Sequence, residues 1–267
     1  MNVSIIIGLV IAFGALLGGY GIEGGSVSSL LLPSPFIIVF GGTLGAVIAS
    51  YGITELVGGL KAFMKCLLGK GKPNPDDLIQ RLSQMADRCR QEGLLVLDTM
   101  VKEPDLTSEQ YLLLKQGMNL IMDMKNFEQV QDVLEADIRA FTLKRQLQIE
   151  VFDGAAGYSP TMGVIGTVMG LVQVLSNMSD AEELTAAIAV AFVATLYGVV
   201  FANIIYMPIA SVLKQDLKRQ KIFKQMIVEG IIMVASGETS RGIENKLSLY
   251  HQAFPKGDKK YAAGINS

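Results

Sequence analysis

The sequence predicts an all-α, polytopic membrane protein with four transmembrane helices and a helical cytoplasmic domain. Half of its 267 residues are hydrophobic, and they are concentrated in four long runs. An apolar run of about 20 residues is long enough to cross a bilayer as a helix. No segment shows the alternating pattern of a β-strand. The runs are residues 3–20, 35–56, 158–178 and 184–213, and Glu55 is their only charged residue.

The first run differs from a signal peptide, although it lies at the start of the sequence. Only Met1 and Asn2 precede it, so the basic region of a signal peptide is missing. A second apolar run also follows closely. We therefore expect the first run to be retained as a transmembrane helix. Burial of one or two runs in a soluble core is the alternative, and uncharged runs of this length are rare there.

The charges that flank the runs predict how the chain is oriented. Residues 21–34 and 179–183 contain no Lys or Arg. Four lysines lie between residues 61 and 72, and five basic residues lie between 214 and 224. Basic residues near the ends of spans stay on the cytoplasmic side. We therefore expect both termini and the central segment to be cytoplasmic.

This topology divides the chain into five segments. Transmembrane helices 1 and 2 occupy 1–56, a cytoplasmic helical domain 57–157, transmembrane helices 3 and 4 158–213, cytoplasmic C-terminal helices 214–254, and a flexible tail 255–267.

Capping residues predict where the cytoplasmic helices begin. Asn74 is suited to cap a helix over about 75–101. Thr107 and Gln110 have the spacing of a capping box that opens a second helix. Asn126 opens a third helix in the same way, and this helix runs toward the third span.

The composition argues against several classes of function. With 23 basic and 25 acidic residues, the chain lacks the basic excess of a nucleic-acid-binding protein. One histidine and two cysteines without CxxC spacing indicate no metal site. The glycines of "GVIGTVMG" lack the GK[ST] ending of a phosphate loop. We expect no enzymatic activity, no cofactor and no bound metal.

Small residues in the third and fourth runs predict close helix packing. Gly163, Gly166 and Gly170 recur along the third run, and Ala191 and Gly198 lie on a small-residue face of the fourth. Small residues allow two membrane helices to approach closely. We therefore expect these two runs to pack tightly against each other or against a partner helix.

Two hydroxyls occur at membrane depth, at Thr167 and Thr195. Each of them either bonds to a carbonyl of its own helix or lines a polar path. Pro160 and Thr167 are seven residues apart and share one side of the helix. Ion paths usually contain ionisable residues, but these two runs have no Asp, Glu, Lys, Arg or His. If ions cross here, another chain must supply the carboxylate.

Four stretches resemble the MotA family of flagellar motor stator proteins, which includes the sodium-type relatives PomA and MotP. They are "GYSPTMGVIGTVMGL" at 157–171, "AFVATLYGVVFANIIYMPIASVLK" at 191–214, "RQEGLLVLD" at 90–98 and "IVEGIIMVASGETSRGIENKL" at 227–247. The resemblance implies a ring of five chains around two MotB chains in the bacterial inner membrane. MotB would supply an intramembrane aspartate and a peptidoglycan anchor. Ion flow would turn the ring, which pushes on the rotor protein FliG.

The resemblance also implies roles for single residues. Pro160 and Pro208 match the family prolines that couple the ion path to movement. Arg90 matches a basic rotor contact, and Arg88 is a weaker candidate of the same kind. Asp98 occupies the place of an acidic rotor contact that is usually Glu. An ordinary solvated helix face is the alternative for these three charged residues.

Thr167 and Thr195 match the two positions beside the MotB aspartate, and they bear on which ion is transported. Position 167 is often Ala in the proton types and Thr in the sodium types. A hydroxyl oxygen can replace part of the hydration shell of a hard cation. The transported ion is H⁺ or Na⁺, and Thr167 favours Na⁺.

Two rival functions remain. ExbB and TolQ form related ion-driven motors that energise the outer membrane, but they usually have three spans, with the cytoplasmic domain after the first. A self-contained channel or transporter is the second rival, and the missing intramembrane charge argues against it.

Overall fold

The computed structural model describes residues 3–69, 71–103, 106, 108–124, 126–176 and 181–254. These residues are helical almost throughout and contain no strand, so the predicted all-α class is confirmed. The helices are α1 (Val3–Ile22), α2 (Pro33–Tyr51), α3 (Ile53–Leu68), α4 (Pro75–Glu92), α5 (Leu97–Met100), α6 (Leu112–Asp123), α7 (Phe127–Ser176), α8 (Ala181–Val200), α9 (Met207–Ala235) and α10 (Ser240–Ser248).

Four helices are long and apolar enough to cross a membrane, as predicted. They are α1, α2, α7, and the continuous helix formed by α8 and α9. A π-helical segment, Phe201–Tyr206, joins α8 to α9, and a second one, Ile37–Gly41, lies inside α2. A π-helical turn contains one residue more than an α-helical turn and is frequent at functional sites.

The chain divides into two compact units. The membrane unit comprises residues 1–70 and 145–214, and the head unit comprises 71–144 and 215–267. Residues 57–69 and 145–157, which the sequence analysis assigns to the cytoplasmic domain, pack within the membrane unit. There a Cβ atom at Gly59 would lie 2.7 Å from the Gln148 carbonyl oxygen. The membrane unit therefore extends along the chain beyond its apolar runs.

The head unit is built around one hydrophobic core. Helices α4, α6 and α10 contribute to it, together with the first part of α7 and the last part of α9. Its fully buried side chains include Leu78, Leu82, Met118, Leu134, Met226, Ile231 and Ile243. Burial of a large apolar side chain contributes about 1.5–3 kcal/mol.

A polar network lies at the edge of this core. Tyr111, which is only 2% exposed, donates a hydrogen bond to the Asp77 carboxylate. Arg81 forms an ion pair with the same carboxylate at 2.8 Å. Burial opposes ionisation of Asp77, but the hydrogen bonds from Arg81 and Tyr111 and the charge of Arg81 outweigh it and lower its pKa. Burial and the bond to Asp77 raise the pKa of Tyr111.

Two predicted helices end earlier than the sequence analysis expected. The helix over 35–56 ends at Tyr51, because Gly52 has φ of +80°. Glu55 therefore lies in α3 and not in the second span. The helix over 75–101 ends at Glu92, because Gly93 has φ of +82°. Both φ angles are positive, a backbone conformation that glycine adopts most easily and that interrupts a helix.

Of the three predicted helix starts, two coincide with cap hydrogen bonds in the structure. Asn74 accepts a hydrogen bond from the Asp77 N–H at 3.4 Å, which confirms it as the cap of α4. Asn126 accepts one from the Glu128 N–H at 2.9 Å, next to the start of α7. The helix that the Thr107–Gln110 capping box was predicted to open starts later as an α-helix, because Glu109–Tyr111 form a 3₁₀ turn and α6 begins only at Leu112. Thr107 and the tail 255–267 lie outside the described residues.

Candidate functional site

Helices α7 and α8 cross in backbone contact, and glycine makes this contact possible. A Cβ atom at Gly163 would lie 2.9 Å from the Ala194 carbonyl oxygen and 3.2 Å from the Gly198 Cα atom. A Cβ atom at Gly198 would lie 2.7 Å from the Ser159 carbonyl oxygen. These separations are shorter than the roughly 3.5 Å of an ordinary van der Waals contact. A larger residue at either glycine would push the two helices apart.

The remaining small residues continue the contact in the direction of the C-terminus of α7. A Cβ atom at Gly166 would lie 2.7 Å from the Ala194 Cβ atom, and one at Gly170 would lie 2.9 Å from the Ala191 Cβ atom. Alanine therefore faces glycine at two successive levels. All the small residues that the sequence analysis assigned to helix packing lie at this one crossing.

The crossing brings the two predicted threonines together. The Thr167 and Thr195 hydroxyl oxygens are 2.5 Å apart. Thr167 is also within hydrogen-bond distance of the Gly163 carbonyl oxygen, at 3.1 Å, and of the Ala191 carbonyl oxygen, at 2.9 Å. It thus reaches a carbonyl of its own helix and also the neighbouring helix. Because each hydroxyl has one proton and two lone pairs, oxygen lone pairs remain for a further ligand.

Pro160 lies inside α7 at the same crossing. Its Cα atom would be 3.1 Å from a Cβ atom at Gly198, so the proline packs directly against α8. A proline has no N–H, and the carbonyl four residues earlier loses its helical partner. The helix can bend at such a point. Pro160 is therefore a position where α7 lacks one backbone hydrogen bond and also contacts α8 directly.

Pro208 lies apart from this cluster. It follows Gly198 by ten residues, which corresponds to about 15 Å along a helix. It comes two residues after the end of the π-helical segment Phe201–Tyr206, and the intervening Met207 N–H bonds to the Ala202 carbonyl, five residues earlier. The π-helical turn therefore lies next to Pro208, which has no N–H to donate to the helix. The structure thus places the two family prolines at different levels of the membrane unit.

Two residues at the crossing escaped the sequence analysis. Ser159 is fully buried and donates a hydrogen bond to the Gly198 carbonyl at 3.0 Å. Tyr197 bonds through its hydroxyl to the backbone ahead of α2. A serine beside the intramembrane proline and a tyrosine within an apolar run were the available signals. Their partners are remote in sequence, and therefore only the tertiary structure identifies them.

The charged residues near Gly93 in the head unit differ in their bonding. Arg88 forms ion pairs with Glu103 at 3.4 Å and Glu92 at 3.9 Å. Asp98 forms one with Lys102 at 2.8 Å. Arg90 is exposed and forms no ion pair within the described part of the chain. Among the described residues, Arg90 is thus the one of the three candidates whose charge has no ion-pair partner within the chain.

Comparison with known proteins gives consistent matches over almost the whole chain. The family model of the MotA/TolQ/ExbB proton channel family matches residues 106–226, and that of the motility protein A N-terminal region matches residues 6–93. Motility protein A of Bacillus subtilis is 31% identical over 94% of this chain and 91% of its own length. Chemotaxis protein PomA of Vibrio alginolyticus is 31% identical over 94% and 95%.

Solved structures agree with these matches. The C. jejuni MotAB structure is similar with a TM-score of 0.87 and 25% identity, and it covers 98% of this chain and 100% of the matched chain. The flagellar MotAB stator complex from Bacillus subtilis is similar with a TM-score of 0.81 and 31% identity, over 92% and 94%.

Proposed function

Because the chain belongs to the MotA/TolQ/ExbB proton channel family, we propose that it is the stator subunit of a bacterial flagellar motor. In this role it forms a cation channel with MotB, and the ion flow drives rotation. Its similarity to two MotAB structures supports this role. The match to the motility protein A N-terminal region favours a flagellar motor over an ExbB- or TolQ-like motor of the outer membrane.

The hydroxyl pair of Thr167 and Thr195 is the observation that carries the proposal. It lies at the crossing of two spans whose apolar runs contain no Asp, Glu, Lys, Arg or His. Hydroxyl and carbonyl oxygens can solvate a cation, but they do not neutralise its charge or hold a transferable proton at neutral pH. The site is therefore half of an ion path. A carboxylate from the MotB helix completes it.

The proposed assembly brings the hydroxyl pair of this chain together with the carboxylate of MotB. We propose a ring of five copies around two MotB chains, in the inner membrane, with both termini and the head unit in the cytoplasm. No residue of the Ser4–Ile22 window is buried within one chain, so we assign membrane lipid to the surface of α1. In the same proposal, Arg90 on the head unit contacts FliG. Pro160 and Pro208 provide the points at which α7 and the α8–α9 helix bend as the ring turns.

Motility in a strain that lacks its own stator genes tests this function. We expect the chain, expressed with its MotB partner, to restore swimming. A partner whose intramembrane aspartate is replaced by asparagine should leave the cells paralysed, because the hydroxyl site then lacks its negative charge. Two results would count against the proposal: ion flux into liposomes that hold this chain alone, or energising of the outer membrane in place of swimming.

We propose that the transported ion is Na⁺ and that Thr167 takes part in its binding. A Thr167→Ala chain should then show a weaker dependence of motor speed on external sodium, because one oxygen ligand is lost. Motor speed measured against sodium concentration at fixed pH checks this. Thr161→Ala is the matched control, since this exposed hydroxyl in the same helix bonds to its own Tyr158 carbonyl. An unchanged sodium response in Thr167→Ala would exclude the hydroxyl as a ligand.

A further inference from the structure

The Tyr197 side chain ties the loop between α1 and α2 to α8. The Tyr197 hydroxyl donates a hydrogen bond to the Leu30 carbonyl and accepts one from the Leu32 N–H at 3.3 Å. Leu30 and Leu32 lie just ahead of Pro33, where α2 begins. In the proposed topology this loop lies on the side from which the ions enter.

The Tyr197 ring is fixed in place by an aromatic cluster. It stacks on Phe201 with the ring centroids 5.8 Å apart and meets Phe36 edge-on at 6.4 Å. Phe40 completes the cluster by contacts to Phe36 at 5.3 Å and to Phe201 at 6.1 Å. Such pairs are worth about 0.5–1.5 kcal/mol beyond the area that they bury. The cluster holds the ring, and the hydroxyl is then directed at the loop.

The loop needs this hydroxyl because its backbone groups are poorly satisfied by α2. Pro33 and Pro35 have no N–H groups, and Leu31 and Leu32 lie outside both the 3₁₀ helix Val27–Leu30 and α2. Unsatisfied backbone groups are costly where water is scarce. Tyr197 satisfies one carbonyl and one N–H at once. Phenylalanine would keep the aromatic contacts but lose both hydrogen bonds.

One turn of α8 makes contact in three directions. Thr195 contacts Thr167 of α7, Gly198 accepts the Ser159 hydrogen bond, and Tyr197 reaches the loop. Because a helix rises 1.5 Å per residue, Thr195 and Tyr197 are only about 3 Å apart along its axis. The hydrogen bonds between Tyr197 and the loop therefore constrain the same helical turn that positions the Thr195 hydroxyl.

We propose that Tyr197 is a positioning residue for ion uptake, which holds the loop before α2 against the turn of α8 that carries Thr195. This inference rests on the proposed stator function. Loss of the contact allows this turn to shift relative to Thr167, and the ion then meets a less well-formed hydroxyl site. The consequence is weaker ion binding in an otherwise assembled motor.

A Tyr197→Phe chain tests the proposal when it is expressed with its MotB partner in the strain without stator genes. We expect the ion concentration for half-maximal motor speed to rise roughly two- to tenfold, which corresponds to the net contribution of one of the two lost hydrogen bonds. The maximal speed at saturating ion should stay unchanged. Speed is measured against sodium at fixed pH and against pH at fixed sodium, so that either ion reveals the shift.

Tyr158→Phe is the matched control. It removes a hydroxyl that also bridges two helices of the membrane unit, through Ser50 at 2.9 Å, but it leaves the loop before α2 untouched. Its half-maximal concentration should equal that of the unaltered chain. A merely structural role of Tyr197 would lower the number of working motors and leave the half-maximal concentration unchanged, which would overturn the inference. Failure of the unaltered chain to drive motility would refute the stator function instead.

Discussion

A Gly163→Val chain should reach the membrane but fail to support swimming, with stability of the α7–α8 crossing lowered by about 1–3 kcal/mol. The first added carbon would already lie 2.9 Å from the Ala194 carbonyl oxygen and 3.2 Å from the Thr195 Cα atom. Both neighbours are backbone atoms of α8, which cannot rotate away. The helices must then separate, and the Thr167 and Thr195 hydroxyls lose their contact. Swimming in soft agar and co-purification of MotB with the chain measure the outcome.

Gly157→Val provides the control in the same helix. A Cβ atom at Gly157 would meet no atom within 4 Å. The two substitutions have equal helix propensity costs, so a difference between them reports the close approach at Gly163. Normal swimming of Gly163→Val would show that α7 and α8 lie further apart in the working motor than in the isolated chain.

Reversal of the charge at Arg90 should abolish or strongly reduce swimming and leave the membrane complex intact. Arg90 is exposed, and within the described residues it forms no ion pair. Its removal therefore breaks no ion pair among the described residues of the head unit, and we expect contact with an external partner to suffer instead. Like charges across an interface cost several kcal/mol. Swimming of an Arg90→Glu chain and the yield of its purified complex with MotB give the two readouts.

Arg139→Glu is the matched control, because Arg139 is also exposed on the head unit and, among the described residues, pairs with Glu135 of its own helix at 3.7 Å. Exposed pairs of this kind contribute about 0.3–0.5 kcal/mol. We expect normal swimming of this variant. A reversed charge on FliG should rescue Arg90→Glu if the two proteins meet there. Loss of the Arg90→Glu complex from the membrane would instead assign the residue a structural role.

The length of the apolar runs, their hydropathy and the charges that flank them predicted the helical class and the four membrane-type helices. Four runs with a single charged residue between them are each long enough to satisfy their backbone groups in lipid as a helix, so the helical class was predictable from composition and length. Asn74 acts locally, through an N–H three residues away, and was therefore predictable. The helix ends at Gly52 and Gly93 were missed, because hydropathy continues past them and only the positive φ angles reveal the breaks.

The candidate site was predictable where its signal lies in the residue types and spacing of one helix. Glycine, alanine and threonine at helical spacing indicated a packed, polar-lined face, and the absence of a carboxylate indicated a partner. The spacing left open whether Thr167 would bond within its own helix, and the structure shows that it also reaches Ala191 and Thr195 of the neighbouring helix. Which hydroxyls meet depends on the crossing of two helices, which no local pattern specifies.

The sequence by itself determined that this chain has four helices able to cross a membrane, and that the third and fourth apolar runs contain no Asp, Glu, Lys, Arg or His. These properties depend on transfer free energies, which add up residue by residue along the chain. The tertiary structure alone decided that Gly163 and Gly198 bring two backbones into contact, that Ser159 bonds to α8, and that Tyr197 holds the loop before α2. Such contacts join residues up to 167 positions apart. They arise from the shapes of packed helices, which exist only once the chain has folded.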